Sequence, residues 1–597
     1  MRWKIALWGL LVIAAGVIHF GNTSFFAGRK LIDYDDLSVI KPLLSMDLKT
    51  YFSERLPNRS NYAFPLTDLS IFADRALSAF TPGQSFWLTQ FVLFALTLIP
   101  WMLTIGLFSP SLRFTATVSA LSLSHPANVE VLQWVTCRKY TMQGIFLAWG
   151  AFLALKIFRA ERLPKTSEWT LMFLLWISAQ LCYPNAILWL PWVVVLFGSV
   201  GLLPKKNFII ALAGVSAFAV LSFYLTARGS GSWTDGTLAM FTHYPNFEKG
   251  VFFGIRAVGR GTFNLLLPFW PAPYYDEQSA LTWIGWLLLG ALATVFFRVL
   301  RKRPIQNDTA KNGHQNDHRQ LRRDMAALLS LCLAILIPVA NTILPFPDFM
   351  LADRHFYLVI PYVTLLIALC LRVIPSIQKI LPWVAGVFCL LTARASFNYA
   401  PLWADNFDLM THCARNEKSA RCISQAIRHR FFAGRCSDVS DMFQLAIEHF
   451  PHRSPYTAEF SYEVPTFHSA CLGLAKSLTS EKKLAGIQYL SKAYSGIDEI
   501  AIGRVLTHLQ DRRYEDAWKV ARQYYLNDID HGPMTAVYSV ISIYAGQLKA
   551  LCKINPTQDC LQVRDAYLNF HKERILRPAA FNWGYRITML AATGKEQ

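Results

Sequence analysis

Two neighbouring carboxylates and a scatter of basic side chains are the residues of this chain best suited by type to chemistry. Asp33-Tyr34-Asp35-Asp36 follows soon after a first apolar run, and a carboxylate there can take a proton from an attacking hydroxyl. Downstream come His125-Pro126-Ala127-Asn128-Val129-Glu130 and the basic pair Arg138-Lys139. Tyr183-Pro184-Asn185, Arg256, Arg260, Tyr274-Tyr275-Asp276 and Asp353-Arg354-His355 complete the polar set. Arginine and lysine stabilise a phosphate leaving group, so the set suits transfer from a phosphorylated donor to a hydroxyl. Each piece alone also has an ordinary structural use. Acidic pairs in loops are commonly solvated or cap helices, Arg138-Lys139 can snorkel at a helix end, Asp353-Arg354 can be a structural ion pair, and His125-Pro126 can be a simple turn without metal. No Walker, Rossmann, HExxH or GxSxG motif stands out.

For these residues to act together, the elements that carry them must converge. Of the 597 residues 53% are hydrophobic, and the mean hydropathy is +0.28. The apolar residues fall in runs near 3–20, 86–108, 141–158, 168–184, 186–204, 207–226, 279–299, 325–344, 355–372 and 378–396, with a weaker Ser- and Thr-rich run near 109–124. Runs of about 18 residues or more are long enough to cross a bilayer as helices. From about residue 400 charged residues become frequent and no such run remains. The expected fold is all-α: a polytopic membrane bundle over 1–398, with a first external loop at 21–85, and a soluble helical domain over 399–597.

The net charge of +19 lies largely in short loops between apolar runs, which makes it a topology signal and argues against nucleic acid as a partner. Arg2 and Lys4 put the N-terminus in the cytoplasm, and the first run reads as an uncleaved anchor rather than a signal peptide, since no small-x-small site follows it. Arg113, then Lys156, Arg159, Arg162 and Lys165, then Lys205 and Lys206, then the basic stretch Arg298–Arg323 all fall inside by alternation. Segment 251–271 is nearly long enough to cross, but crossing would move that basic stretch outside and would put Arg256 and Arg260 in lipid. It is therefore expected to lie along the outer interface, giving about eleven spans of a bacterial inner membrane with the C-terminal domain in the periplasm. The six cysteines of that domain, Cys413, Cys422, Cys436, Cys471, Cys552 and Cys560, suggest disulfides in a non-reducing compartment. Cys413–Cys422 and Cys552–Cys560 would close short loops and leave Cys436–Cys471; a zinc site is the competing reading, against which stand long spacings and the lack of a C-x-x-C pair.

DYDDLSVI at 33–40, PLTDLS at 65–70, HPANVEVLQWVTCRK at 125–139, YPNAILWLPWVVVL at 183–196, NLLLPFWPAPYY at 264–275 and ADRHFYL at 352–358 occur in an order that resembles one known group. These are bacterial tetratricopeptide-repeat membrane proteins related to the transmembrane and tetratricopeptide-repeat O-mannosyltransferases, members of the GT-C superfamily. The resemblance covers about 30–370. It implies an external active site, a polyprenyl-phosphate monosaccharide as donor and a hydroxyl of a protein or glycan as acceptor. By the same match Asp35 or Asp36 is the general base, Asp35 first, and transfer proceeds with inversion. Arg138, Lys139 and Arg354 would face the lipid phosphate, Arg256 is a weaker candidate for that task, and His125, Glu130 and Asp353 are supporting residues. Metal use stays open because related folds differ in it; a divalent metal is one option.

The chain also departs from the pattern. Phe64 stands where Arg is usual, Trp87, Gln90 and Phe94 where His and Asn are common, Cys137 where Glu is common, and Tyr183 where Lys is common. Loss of several polar groups implies a changed substrate or lost activity, and the retained acidic pair favours activity. In the C-terminal part, segments 415–430, 438–450, 467–478, 482–495, 513–526 and 534–552 have helical spacing, and 512–528 resembles one helix of a tetratricopeptide repeat. Such a domain would hold a protein acceptor or partner, or would cap the active site rigidly. The leading expectation is a glycosyltransferase acting on Ser or Thr of an exported protein. The alternatives are modification of a surface glycan or lipid, and an inactive relative serving as a membrane scaffold. A transporter is disfavoured by few intramembrane charges and no paired broken helices.

Overall fold

The computed structural model describes residues 2–21, 40, 43–56, 64–76, 82–183, 186–199, 205–228, 247–273, 275, 280–301, 313–343, 352–372, 374, 378–417 and scattered positions up to 445. The described residues are mostly helical, with no strand among them. The chain divides into two units after Leu409.

In the first unit the helices are α1 (Arg2–Phe20), α2 (Pro65–Ala76), α3 (Pro82–Phe108), α4 (Leu112–Ser124), α5 (Ala127–Gln133), α6 (Arg138–Arg159), α7 (Thr166–Cys182), α8 (Trp189–Ser199), α9 (Lys205–Arg228), α10 (Phe247–Leu266), α11 (Ala280–Arg301), α12 (Gly313–Ile343), α13 (Ile360–Arg372) and α14 (Leu381–Tyr399). A fifteenth, α15 (Asn406–Asn416), crosses the division. Among the described residues four stretches are long and apolar enough to cross a membrane: Trp3–Phe20, Phe86–Phe108, Val135–Arg159 and Ala280–Val299. Several large apolar side chains face outward, among them Leu287 at 74%, Trp383 at 79% and Leu390 at 73% exposure. Faces of that kind suit lipid and are costly in water, which points to a membrane protein.

The helix that positions most of the polar residues is α6. Its 22 residues make it about 33 Å long, close to the thickness of a bilayer core. Its Gly150, Ala151, Ala154, Leu155 and Phe158 are buried in its packing with α3, α7 and α8. Charged clusters stand at both of its ends. At the C-terminal end Arg159 Nε lies 3.5 Å from Asp324, Arg162 pairs with Glu168 at 2.6 Å, and Arg323 pairs with Glu161. Glu168 also reaches back to the Lys165 N–H at 2.8 Å, a carboxylate cap that starts α7. The N-terminal end carries the residues considered next. Segment 251–271, expected along the interface, belongs largely to α10, which packs against α11.

In the second unit the sulfurs of Cys413 and Cys422 are bonded, with their Cα atoms 5.5 Å apart. Arg430 donates to the Thr411 hydroxyl at 2.9 Å. Cys436, Cys471, Cys552 and Cys560, and the expected repeat helices beyond 450, lie outside the described residues.

Candidate functional site

The chain turns sharply between α4 and α6, and that turn sets the site. His125 Nδ1 accepts the Ala127 N–H at 3.1 Å, and its Nε2 lies 3.3 Å from the Leu265 carbonyl, so the proton sits on Nε2. Burial pushes this imidazole down to about 4, which keeps it neutral. Asn128 closes the turn by donating to the carbonyls of Ser122 and Leu123, each at 2.9 Å. Glu130, wholly buried on α5, accepts the Arg354 backbone N–H at 2.9 Å and is ion-paired with the Arg354 guanidinium. Burial raises the Glu130 carboxyl, while Arg354 opposes that rise. The Arg354 guanidinium lies over the Trp134 ring at 4.9 Å. Residues more than two hundred positions apart thus share one buried charge pair, whose disruption from one side would cost about 3–5 kcal/mol.

Arg138, at the start of α6, is also fully buried. Its Nη1 is 2.5 Å from Asp74 of α2, its Nη2 donates to the Phe86 carbonyl at 2.8 Å, and its Nε donates to Gln90 Oε1 at 3.3 Å. Asp74 further accepts the Thr89 hydroxyl at 2.5 Å. Asp74 lies on the buried stripe of α2 with Thr67 and Ile71, at helical spacing, so a carboxylate inside an amphipathic stripe was the signal for it. Asp68 of the same helix went unassigned in the sequence as well. It accepts the Tyr51 hydroxyl at 3.1 Å and the Phe64 N–H at 3.2 Å. Burial pushes its carboxyl up to about 7, against the opposing charges of Arg55 and Lys139.

Lys139 differs from the two arginines. It is half-buried and forms no ion pair among the described residues. Its Nζ lies 5.3 Å from the centre of the Phe64 ring, 5.6 Å from that of Tyr140 and 5.1 Å from that of Tyr183. Phe64 and Tyr183 meet edge to face at 5.4 Å. Two of the departures from the family pattern therefore line this lysine. The others fill neighbouring space: the Trp87 indole N–H donates to the Gln133 carbonyl at 2.7 Å, and Phe94 packs on Trp101 and Tyr357. Gln90 donates to the Val131 carbonyl at 2.5 Å, and Cys137 is buried.

On α10 Arg256 is exposed, whereas Arg260 is buried with its guanidinium 4.8 Å from the centre of the Tyr275 ring. The Tyr275 hydroxyl accepts the Ala272 N–H at 3.1 Å and hydrogen-bonds Asp353. The buried arginine is thus the second of the pair, four residues after the one favoured from sequence. Asp35 and Asp36 lie outside the described residues. Among the described residues no three His, Cys, Asp or Glu side chains come together as metal ligands.

The first unit thus gathers Asp68, Asp74, Glu130, Arg138, Lys139, Arg354 and His355 from three separate stretches of the chain. A carboxylate able to hold a proton near neutral pH, a half-buried ammonium and aromatic walls stand close together, an arrangement suited to an anion next to an apolar ring. A scan against protein-family models, a search of curated proteins and a search of solved structures find no match.

Proposed function

We propose that this protein is a GT-C-type glycosyltransferase that moves a monosaccharide from a polyprenyl-phosphate carrier to a hydroxyl, foremost that of Ser or Thr in an exported protein. One observation carries the reading: the motif segments around 65–74, 125–140, 183 and 352–357 meet at one end of α6, as a site built from separate external loops requires. The motif order in the sequence supports it too. In the reaction Asp35, or Asp36 beside it, takes the acceptor proton. The freed oxygen attacks the anomeric carbon, and the bond from that carbon to the phosphate oxygen breaks with inversion. The polyprenyl phosphate leaves with the electron pair and its added negative charge. The membrane domain would cross the inner membrane about eleven times, with the N-terminus inside, and the C-terminal helical domain would hold the acceptor in the periplasm.

A second reading, an inactive relative that works as a membrane scaffold, draws support from a specific observation. Arg138 and Arg354, two of the cations assigned to the phosphate, are buried against Asp74 and Glu130. The test compares glycans on exported proteins from wild type and an Asp35→Ala strain by intact-mass spectrometry. Loss of one sugar mass from a subset of proteins is expected. Unchanged proteins with an altered surface polysaccharide or lipid would move the acceptor to that class. Identical profiles in every fraction, with the variant stably inserted, would leave the scaffold.

A further inference from the structure

We propose that Lys4, Arg113, Arg372 and Lys379 form a rim that holds the headgroups of anionic phospholipid on one side of the membrane unit, at the end opposite Arg138 and Glu130. The proposal rests on the membrane-domain reading and not on the transfer reaction.

The sequence supplies the first half of the argument. Helices α1, α3, α4, α13 and α14 contain no Asp or Glu, and neither do the short stretches that join α3 to α4 and α13 to α14. Helix α4 packs against each of the other four. The structure shows which ends meet. His19 Nε2, near the close of α1, lies 3.0 Å from the Leu123 carbonyl at the close of α4, and the Ser396 hydroxyl late in α14 donates to the Ser124 carbonyl at 2.7 Å. The starts of α1, α4 and α14 therefore share the other end. Helix α13 finishes there too, since the Arg372 guanidinium stands 5.9 Å from the centre of the Phe114 ring. Gln378 donates to the Arg372 carbonyl at 2.6 Å, which keeps the link to Lys379 and α14 at that level. Lys4 reaches the last turn of α3, where its Nζ stands 3.9 Å from the place a Cβ on Gly106 would take.

This end is electrically two-sided. Around α6, α7 and α12 the arginines have carboxylates: Arg159 has Asp324, Arg162 has Glu168 and Arg323 has Glu161. Around α1, α4 and α13 the four rim cations are exposed, and none forms an ion pair among the described residues. The two sides stand at one level, because the Arg159 guanidinium lies 5.2 Å from the centre of the Phe108 ring, two residues beyond Gly106. Like charges with no carboxylate on the helices that carry them repel one another, and an anion supplied from outside offsets that cost.

The neighbours of these cations identify the anion as lipid. Trp3 and Ile5 beside Lys4, Leu112 beside Arg113, and Ile380 beside Lys379 are exposed, and Trp383 follows one turn on. A basic side chain flanked by faces suited to acyl chains sits at headgroup level, where tryptophan is favoured as well. A soluble anion would match the charge and leave those apolar faces in water. Basic residues at the end of a span attract the phosphodiester of an anionic phospholipid, which supplies both the charge and the chains.

The test counts bound lipid. Full-length protein is reconstituted into vesicles of phosphatidylcholine and phosphatidylglycerol in equal parts and extracted in mild detergent, and the lipid that stays bound is read by native mass spectrometry. Wild type is expected to retain phosphatidylglycerol over phosphatidylcholine by about tenfold, and Arg113→Gln/Arg372→Gln to lose most of that preference. Arg162→Gln/Arg323→Gln removes the same net charge at the same end from paired positions and should keep it. Lys4→Gln/Lys379→Gln probes the rim independently if the first pair does not elute as wild type in size-exclusion chromatography. Equal retention of the two lipids by wild type overturns the rim. So does a preference that survives in both rim variants, or one lost equally in the paired-position control, where net charge alone would be enough. Any of these results leaves the transfer reaction standing.

Discussion

Asp68 sits at the first turn of α2 with a hydroxyl and a backbone N–H on its carboxyl, yet with its charge largely removed from water. Its pKa is raised to about 7, so the folded protein keeps a proton there that the unfolded chain releases near 4. Stability from this group is therefore complete below about pH 4 and is lost as pH rises through 7. The melting midpoint of the detergent-solubilised protein should fall between pH 5 and 8, by an amount corresponding to roughly 1–3 kcal/mol at neutral pH. Asp68→Asn keeps an acceptor for the Phe64 N–H and removes the titration, so its midpoint should be flatter over that range. A variant as steep as wild type would assign the dependence to another group. At this scale the sequence was partly legible. Glu130, Arg138, Lys139 and Arg354 could be singled out because their motifs are local. Their partners could not: the pairing of Glu130 with Arg354 depends on how α5 meets the turn before α13, and no spacing along the chain encodes that. Asp68 was passed over because its motif was read as a marker and not as a buried carboxylate.

Helices were easier to find than their crossings. Apolar runs mark where a helix can form, and α1, α3, α6 and α11 fall on four of them. What the runs do not encode is which faces meet, because a lipid-facing leucine and a core leucine look alike in sequence. The crossing of α10 and α11 shows what decides it. A Cβ added to Gly285 would land on the Gly259 carbonyl oxygen and 3.0 Å from the Phe263 nitrogen, and backbone cannot swing aside as a side chain can. Gly285→Ala should therefore force the helices apart and cost about 2 kcal/mol or more. Gly290→Ala on the same helix, with nothing within 4 Å of the added carbon, should be neutral or slightly stabilising. Melting midpoints of the two variants in one detergent provide the comparison. Equal midpoints would mean that the crossing is looser than the glycine contact requires. Because α10 carries Arg260 to Tyr275, the Gly285 variant should also disturb the site end, and Gly290→Ala should not.

For the membrane unit as a whole, the proposed reaction requires its two charged ends to lie on opposite sides of a bilayer. At one end of α6 stand Arg138, Glu130, Arg354 and Asp74, and at the other Arg159, Glu161, Arg162, Arg323 and Asp324. The intervening stretch, Val135–Arg159, is apolar enough to cross, and the basic excess of the second end is the cytoplasmic signature. The exposed Ser53, beside Tyr51 and the Asp68 cluster, and the half-buried Arg162, in the turn after α6, probe the two ends directly. With Ser53→Cys and Arg162→Cys in separate strains, a membrane-impermeant maleimide should label the first on intact spheroplasts and the second only after permeabilisation. The native thiols at 137, 182, 332 and 370 are buried and should stay silent in both. Labelling of both positions from one side would leave the donor, the acceptor and the basic residues with no common surface, and the transfer reaction would fall with the topology. The reverse pattern, with Arg162→Cys outside, would turn the motif cluster toward the cytoplasm and away from any exported acceptor. The Cys413–Cys422 bridge is a check that does not depend on labelling, since a bond of that kind persists in an oxidising compartment and is rare in the cytosol.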